Sequence, residues 1–308
     1  MPNIITLTMN PAIDTSAHCD RVQHDVKLRV KRVQRDPGGG GINVSRAIAH
    51  LGGRSTAVFP VGGVAGELLQ GLLAEEQLNR VAVAIEDTVR ENLTVVEDST
   101  GEQYRFGMPG PELSPDEVET VIARLAELVG QDDIFVASGS LPPGVPVDFY
   151  ARVGRTVAEA GARYVVDTSG EALAAAVDEG AWLIKPNLHE LASLLDEERL
   201  EEPQIREAAT AFVSRGQARH VVVSLGSGGA YLVNEAGVTR HAAPTVSVDS
   251  RIGAGDSMIG GIAWALAEGM RVDEAVRWGV AAGAAAVMTP GTELCRGEDV
   301  RRLLAEVG

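Results

Sequence analysis

Ile134-Phe135-Val136-Ala137, Tyr164-Val165-Val166-Asp167, Trp182-Leu183-Ile184 and Val221-Val222-Val223-Ser224-Leu225 are short apolar runs through the middle of the chain. Each reads as a buried strand. Helical stretches separate them, around 146–160, 170–178, 187–196 and 203–215. Strands that alternate with helices build a parallel sheet covered on both faces. Upstream, Ser114-Pro115-Asp116-Glu117 supplies an N-cap, a first-turn proline and early acids, predicting a helix to Val129. Further strands are expected at Ile4 to Met9 and Ser55 to Val61, with helices over Ile42 to Leu51 and Val64 to Ala74. Downstream, Tyr231 to Val233 and Val238 to His241 form a hairpin, and Ala242 to Ile252 reads as a further β-type run. Helices over 256–268, 272–288 and 297–306 close the chain. Two β-rich insertions, near 12–36 and 88–110, interrupt the pattern, the second turning at Ser99-Thr100-Gly101-Glu102. The expectation is one α/β domain over 1–308 carrying a small β lid.

The 308 residues suffice for a large core, and 45% hydrophobic content with a mean hydropathy near zero describes a globular protein. No apolar run approaches the ~20 residues of a membrane span, and Met1 to Leu7 lacks a charged leader and cleavage site. Cys19 and Cys295 have no metal or redox spacing. A cytoplasmic enzyme with no membrane partner is expected. The net charge of −16 argues against nucleic acid. An anionic small substrate would need a local basic site, and residues 21–35 hold six of the 27 basic residues: Arg21, Lys27, Arg29, Lys31, Arg32 and Arg35. A solvated edge ribbon that uses charge against aggregation explains them equally well.

Ligands of such sheets bind in the loops beyond the carboxyl ends of strands. The unusual loops fall there: Asn10 to Asp14, Gly38 to Asn43, Ser138 to Gly144, Lys185 to Glu190, Ser224 to Gly229 and Gly253 to Asp256. Gly253-Ala254-Gly255-Asp256 opens a helix, so its backbone N–H groups and the helix dipole favour an anion. Asp256 in that turn can accept a proton from an alcohol, and anion hole plus base is what phosphoryl transfer to a hydroxyl requires. Alone, the tetrapeptide is equally an N-cap. Pro37-Gly38-Gly39-Gly40-Gly41-Ile42-Asn43 has no Gly-Lys-Ser/Thr ending and follows no long buried strand, so it is neither a Walker loop nor a good dinucleotide fingerprint. Its glycines let a ligand approach the backbone, and Asn43 can reach a sugar hydroxyl; a hinge between lid and core fits the same residues.

Gly38 to Asn43 paired with Gly253 to Asp256 resembles the signatures of the PfkB carbohydrate kinases, in the ribokinase superfamily. The likeness extends through Thr6-Leu7-Thr8, Ser138 to Gly144, Lys185-Pro186-Asn187 and Val223 to Gly226. Within the family, Gly38 to Val44, Ala47 to Gly53, Gly101 to Phe106 and Ser169 to Leu173 are most similar to the ATP-dependent 6-phosphofructokinases of the minor, enteric type. The resemblance implies a ribokinase-like three-layer fold with a mostly parallel central sheet and a β lid. It also implies ATP-dependent phosphorylation of the C1 hydroxyl of fructose 6-phosphate, and a homodimer formed through the lid.

It further implies roles. Asp256 is the base, and the N–H groups of Gly253, Ala254 and Gly255 stabilise the transferring phosphoryl group. Asp14, Gly39, Gly40 and Asn43 hold sugar hydroxyls with Ser140 nearby. Arg90 and Arg105, both in the lid, grip the 6-phosphate, with Lys27 and Arg29 helping from a neighbouring subunit. Lys185, Asn187, Ser224, Gly226 and Gly229 contact ATP, and Glu190 of Asn187-Leu188-His189-Glu190 helps place magnesium; alone, that tetrapeptide is a capping box. Two residues depart from the family pattern. Arg251 stands where relatives carry small or β-branched residues, and Glu293 replaces an expected basic residue beside a carbonyl-lined monovalent-cation site, so potassium is left open. Tagatose 6-phosphate kinase and 1-phosphofructokinase perform the same chemistry on other ketose phosphates. A non-catalytic sugar-phosphate binder should lack the base or the anion hole, and a dinucleotide-dependent oxidoreductase should carry an acidic ribose contact after a strand–glycine–helix turn.

Overall fold

The computed structural model describes residues 2–308. Strands β1 (Ile4–Leu7), β4 (Thr56–Val61), β5 (Asn79–Ala84), β8 (Ile134–Ser138), β9 (Arg163–Asp167), β10 (Ala181–Ile184), β11 (Ala218–Ser224), β12 (Ala230–Asn234) and β13 (Gly237–His241) form one nine-stranded sheet. Its order is β13-β12-β11-β10-β9-β8-β1-β4-β5, parallel except for the antiparallel β12 and β13. The alternating segment therefore does build a parallel sheet. The reason is visible in β8, where Phe135 and Ala137 face one apolar cluster while Ile134 and Val136 face the other. A strand buried on both sides can be apolar at every position.

One cluster is roofed by α3 (Pro115–Leu128), α4 (Phe149–Glu159), α5 (Gly170–Glu179) and α7 (Glu202–Ser214). The other lies under α1 (Gly40–His50), α8 (Ala254–Ala267), α9 (Val272–Ala286) and α10 (Gly297–Leu304). Helix α2 (Gly63–Glu75) covers a smaller cluster around Phe59 and Leu73, and α6 (Leu188–Ser193) follows β10. The expected cap of α3 is present as a full capping box between Ser114 and Glu117.

The two insertions pair with each other. β2 (Ala12–Cys19), β3 (Lys31–Gly38), β6 (Arg90–Glu97) and β7 (Gln103–Phe106) form a separate sheet in the order β3-β2-β6-β7. β2 runs parallel to β6 with Asp14 opposite Asn92 and Ala12 opposite Arg90.

One expectation needs correction, and one strand lies outside the expected set. Residues 242–252 contain no strand; they cross irregularly to α8. Their apolar alternation is satisfied instead by packing, Ala243 and Val246 resting on the α8–α9 cluster. The edge strand β5 was not expected, because only Val83 of its six residues is buried and its pattern is correspondingly weak.

Candidate active site

Helices α1 and α8 bring the site together. Gly39, the N-cap of α1, has φ +111, a region that side chains rarely adopt, and a Cβ there would meet the Thr8 methyl at 2.5 Å. The first turn of α1 is held by the hydroxyl of Thr8, which accepts from the Ile42 N–H at 2.7 Å. Gly253 caps α8 in the left-handed conformation, φ +73. The first hydrogen bond of α8 runs from the Ser257 N–H to the Gly253 carbonyl, so the preceding N–H groups of the turn lack helical partners. Gly260 lets the two helices approach: a Cβ there would lie 2.7 Å from that of Ala47.

One turn before that contact on each helix, Asn43 Nδ2 donates to Asp256 Oδ2 at 2.9 Å. Asp256 sits in a cleft that keeps one side open to solvent but removes most of the water around its charge. Burial, with the negative charge of Asp167 beside it, pushes its carboxyl from 3.8 up to about 7, against the opposing pull of Asn43 and Lys185. Lys185, 4% exposed, bonds Asp167 at 3.0 Å. Its Nζ lies 3.8 Å from where a Cβ on Gly255 would be, which puts it against the turn. Burial alone would lower the Lys185 ammonium, but Asp167, Glu190 and Asp256 outweigh it and raise its proton affinity. It therefore stays charged at neutral pH.

The other expected residues distribute unevenly around this centre. Asp14 is fixed by Asn92, whose Nδ2 donates at 2.8 Å. Gly40 packs against Ser138 and Gly139, and Ser140 accepts from Asn10 Nδ2 at 3.2 Å. Arg90, half-buried, donates to the carbonyls of Asn10 and Met108 at 3.2 and 3.3 Å, while its Nε has no partner. Asn187 caps α6 in a box with Glu190, and its backbone bridges to Ser224. Burial raises the Glu190 carboxyl although the Asn187 N–H holds it. Gly226 opens a short 3₁₀ turn that Gly229 ends with φ +90, just past Ser224.

Arg105 is not brought to Arg90. It lies exposed in β7 opposite Thr94, roughly 13 Å of strand away from the position of Arg90. Lys27 and Arg29 are exposed in the loop between β2 and β3. Of the two departures from the family pattern, Arg251 is exposed and Glu293 is paired with Arg296 at 2.7 Å.

The structure also brings Asp167 and Asn10 to this cluster, and the sequence had singled out neither side chain. Asp167 ends a buried strand, and a carboxylate at the carboxyl end of a parallel strand was the available signal. Asn10 lay in one of the unusual loops, but nothing in the sequence marked its side chain, which is 6% exposed with an unpartnered Oδ1.

The pfkB family carbohydrate kinase profile matches residues 5–298. The chain belongs to this family. It is 43% identical over 306 residues to the ATP-dependent 6-phosphofructokinase isozyme 2 of Escherichia coli (strain K12), covering 99% of each chain. It is 42% identical over 301 residues to the enzyme of the same name from Mycobacterium tuberculosis (strain H37Rv), covering 98% of this chain and 88% of that one. The crystal structure of phosphofructokinase-2 from Escherichia coli in complex with potassium superposes with a TM-score of 0.96, 43% identity and 99% coverage of both chains. A sugar-kinase fold thus carries the cleft, and no described helix of this family member is long and apolar enough to cross a membrane.

Proposed function

We propose that this chain is an ATP-dependent 6-phosphofructokinase, moving the γ-phosphoryl group of ATP to the C1 hydroxyl of fructose 6-phosphate. The observation that carries the reading is Asp256. Its carboxylate is fixed by Asn43 at the open amino end of α8, with a proton affinity tuned to about 7 and the Lys185 ammonium beside the same turn. A base must accept a proton at working pH and release it after turnover, and a value near neutrality serves both.

In this reading the C1 hydroxyl lies against Asp256, which takes its proton as the oxygen attacks phosphorus. The N–H groups of Gly253, Ala254 and Gly255 and the positive end of α8 receive the charge spread over the phosphoryl oxygens. Asp14, Gly39, Gly40 and Asn43 orient the sugar hydroxyls, with Ser140 at the edge. The unpartnered Nε of Arg90 turns to the 6-phosphate. Arg105 assists if the small sheet closes as a lid, excluding water that would hydrolyse ATP. Lys27 and Arg29 act from a neighbouring copy in a homodimer formed over that sheet, where Val26, Leu28 and Val30 of the β2–β3 loop and Val33 of β3 stand in solvent. Asn187, Ser224, Gly226 and Gly229 line the nucleotide side.

Among the described residues no group of three acidic, histidine or cysteine side chains could hold a metal alone. Magnesium does not require one, since it keeps much of its water and takes one or two carboxylates plus phosphate oxygens. Glu190 and Asp167 fit that donor set, and the bound ion would neutralise phosphate charge. A potassium ion is part of the proposal through the relative's potassium complex. The carbonyls of Ala286, Gly291 and Glu293 gather beside the turn, bonded by the Thr289 and Ser250 hydroxyls.

The test is ADP release with magnesium–ATP, offering fructose 6-phosphate, tagatose 6-phosphate and fructose 1-phosphate in parallel. Preference for the first is expected. Preference for fructose 1-phosphate would keep the base and refute the sugar assignment.

A further inference from the structure

Arg46 has no part in the roles above, yet it is a charged side chain only 5% exposed, one turn along α1 from Asn43. Its Nε donates to both carboxylate oxygens of Glu76, at 2.8 and 2.9 Å, just past the end of α2. Its Nη1 donates to the Pro37 carbonyl at 3.1 Å and lies 3.5 Å from Asn43 Oδ1. At that length the second contact is a charge facing a dipole more than a full hydrogen bond.

A carboxamide has one accepting end and one donating end. With a guanidinium on one side of Asn43 and the Asp256 carboxylate on the other, only one orientation is favourable. Its oxygen faces Arg46 and its Nδ2 donates to Asp256 at 2.9 Å. Turned over, the amide would set N–H against cation and oxygen against carboxylate. The selector cannot drift, because Glu76 and the Pro37 carbonyl occupy its other faces.

We propose that Arg46, clamped by Glu76, is a positioning residue that locks the Asn43 amide in the orientation that donates to Asp256. This rests on the reading of Asp256 as the base. In this reading Arg46 acts on turnover through Asn43, its other partners being Glu76 and the Pro37 carbonyl. The competing explanation is a buried ion pair that only ties α1 to α2 and the end of β3.

A double-mutant cycle separates the two. Steady-state kinetics are measured on the full chain, on Arg46→Lys, on Asn43→Ala and on the double variant. Lysine keeps the charge but lacks the planar fork that serves three partners at once. Arg46→Lys should lower kcat/KM for fructose 6-phosphate about tenfold and change the KM for ATP by less than about twofold. In the Asn43→Ala background the same substitution should change kcat/KM by less than about twofold. Equal fold-losses in both backgrounds would overturn the proposal, because a purely structural clamp has no need of Asn43. If Arg46→Lys does not fold, Glu76→Gln takes its place, leaving Arg46 present but loosely held, and the same coupling to Asn43→Ala is required of it. Wild-type turnover of fructose 6-phosphate checks the underlying reading separately. An active wild type with an additive cycle refutes Arg46 alone, and a wild type inert toward every ketose phosphate offered refutes both.

Discussion

Replacing Asp256 by asparagine tests at once the chemistry and the electrostatics of the cleft. The side chain keeps its shape, and the new amide oxygen can still accept from Asn43 Nδ2. What disappears is a carboxylate whose proton affinity is raised from 3.8 to about 7. That shift is a little over three powers of ten, or about 4 kcal/mol of preference for the neutral form in the folded chain. The sign follows from linkage. The folded protein binds this proton more tightly than the unfolded one, so the stabilisation is full below pH 4 and is lost as pH rises through about 7. Between pH 5 and 8.5 the wild type should lose about 3 kcal/mol from this group, trimmed to about 2 by water at the cleft mouth. The variant should lose none of it. Lys185 does not offset the gain, because Asp167 still pairs with it at 3.0 Å. Thermal melts of wild type and variant across that range, without ligands, read the difference, in which titrations not coupled to Asp256 cancel. The variant's advantage in Tm should widen with pH by roughly 4 °C, at about 2 °C per kcal/mol for a chain of this size. Turnover should fall by about 10² to 10⁴ with fructose 6-phosphate binding largely kept. A Tm difference that stays flat from pH 5 to 8.5 would refute the burial argument, and wild-type turnover in the variant would refute the base.

In the wild type, kcat/KM for the sugar should rise with pH and reach half its plateau near 7, as Asp256 loses its proton; a profile already flat at pH 5.5 would mean another base. Arg90→Ala removes a charged donor from a half-buried position and should raise the KM for fructose 6-phosphate by roughly ten- to a hundredfold while moving kcat little. An unchanged KM would take Arg90 out of the phosphate site. Gly260→Ala forces a methyl to within 2.7 Å of the Ala47 Cβ, so denaturant unfolding should show a loss of about 1–3 kcal/mol. Its turnover should fall as well, because spreading α1 from α8 stretches the Asn43–Asp256 bond; a variant with lost stability and full activity would separate the helix contact from the site.

The alternating strands and helices were legible because each element carried its own period: runs apolar at every position for strands buried on both faces, and a proline-containing cap for α3. Asp256, Asn43 and the glycines were legible because backbone conformations that need glycine leave a local mark, as Gly39 and Gly253 do. Edge strand β5 and the irregular crossing at 242–252 were not, since a half-exposed edge and a loop packed on a core both blur periodicity.

The sequence by itself determined the order of the elements, the loops that meet at one edge of the sheet, and the residue types available there. Only the tertiary structure decided which of those residues meet. Asn43 and Asp256 lie 213 positions apart and touch because Gly260 lets α1 and α8 close together. Asp167, marked in the sequence only by its place at the end of a strand, becomes a charge that adds to burial in raising Asp256 and the partner of Lys185. Arg46, an ordinary helical arginine in the sequence, becomes a buried clamp through Glu76 at the end of another helix. The physical reason is common to all three. Hydrogen bonding, desolvation and charge act over a few ångströms of space, and distance along the chain does not set them.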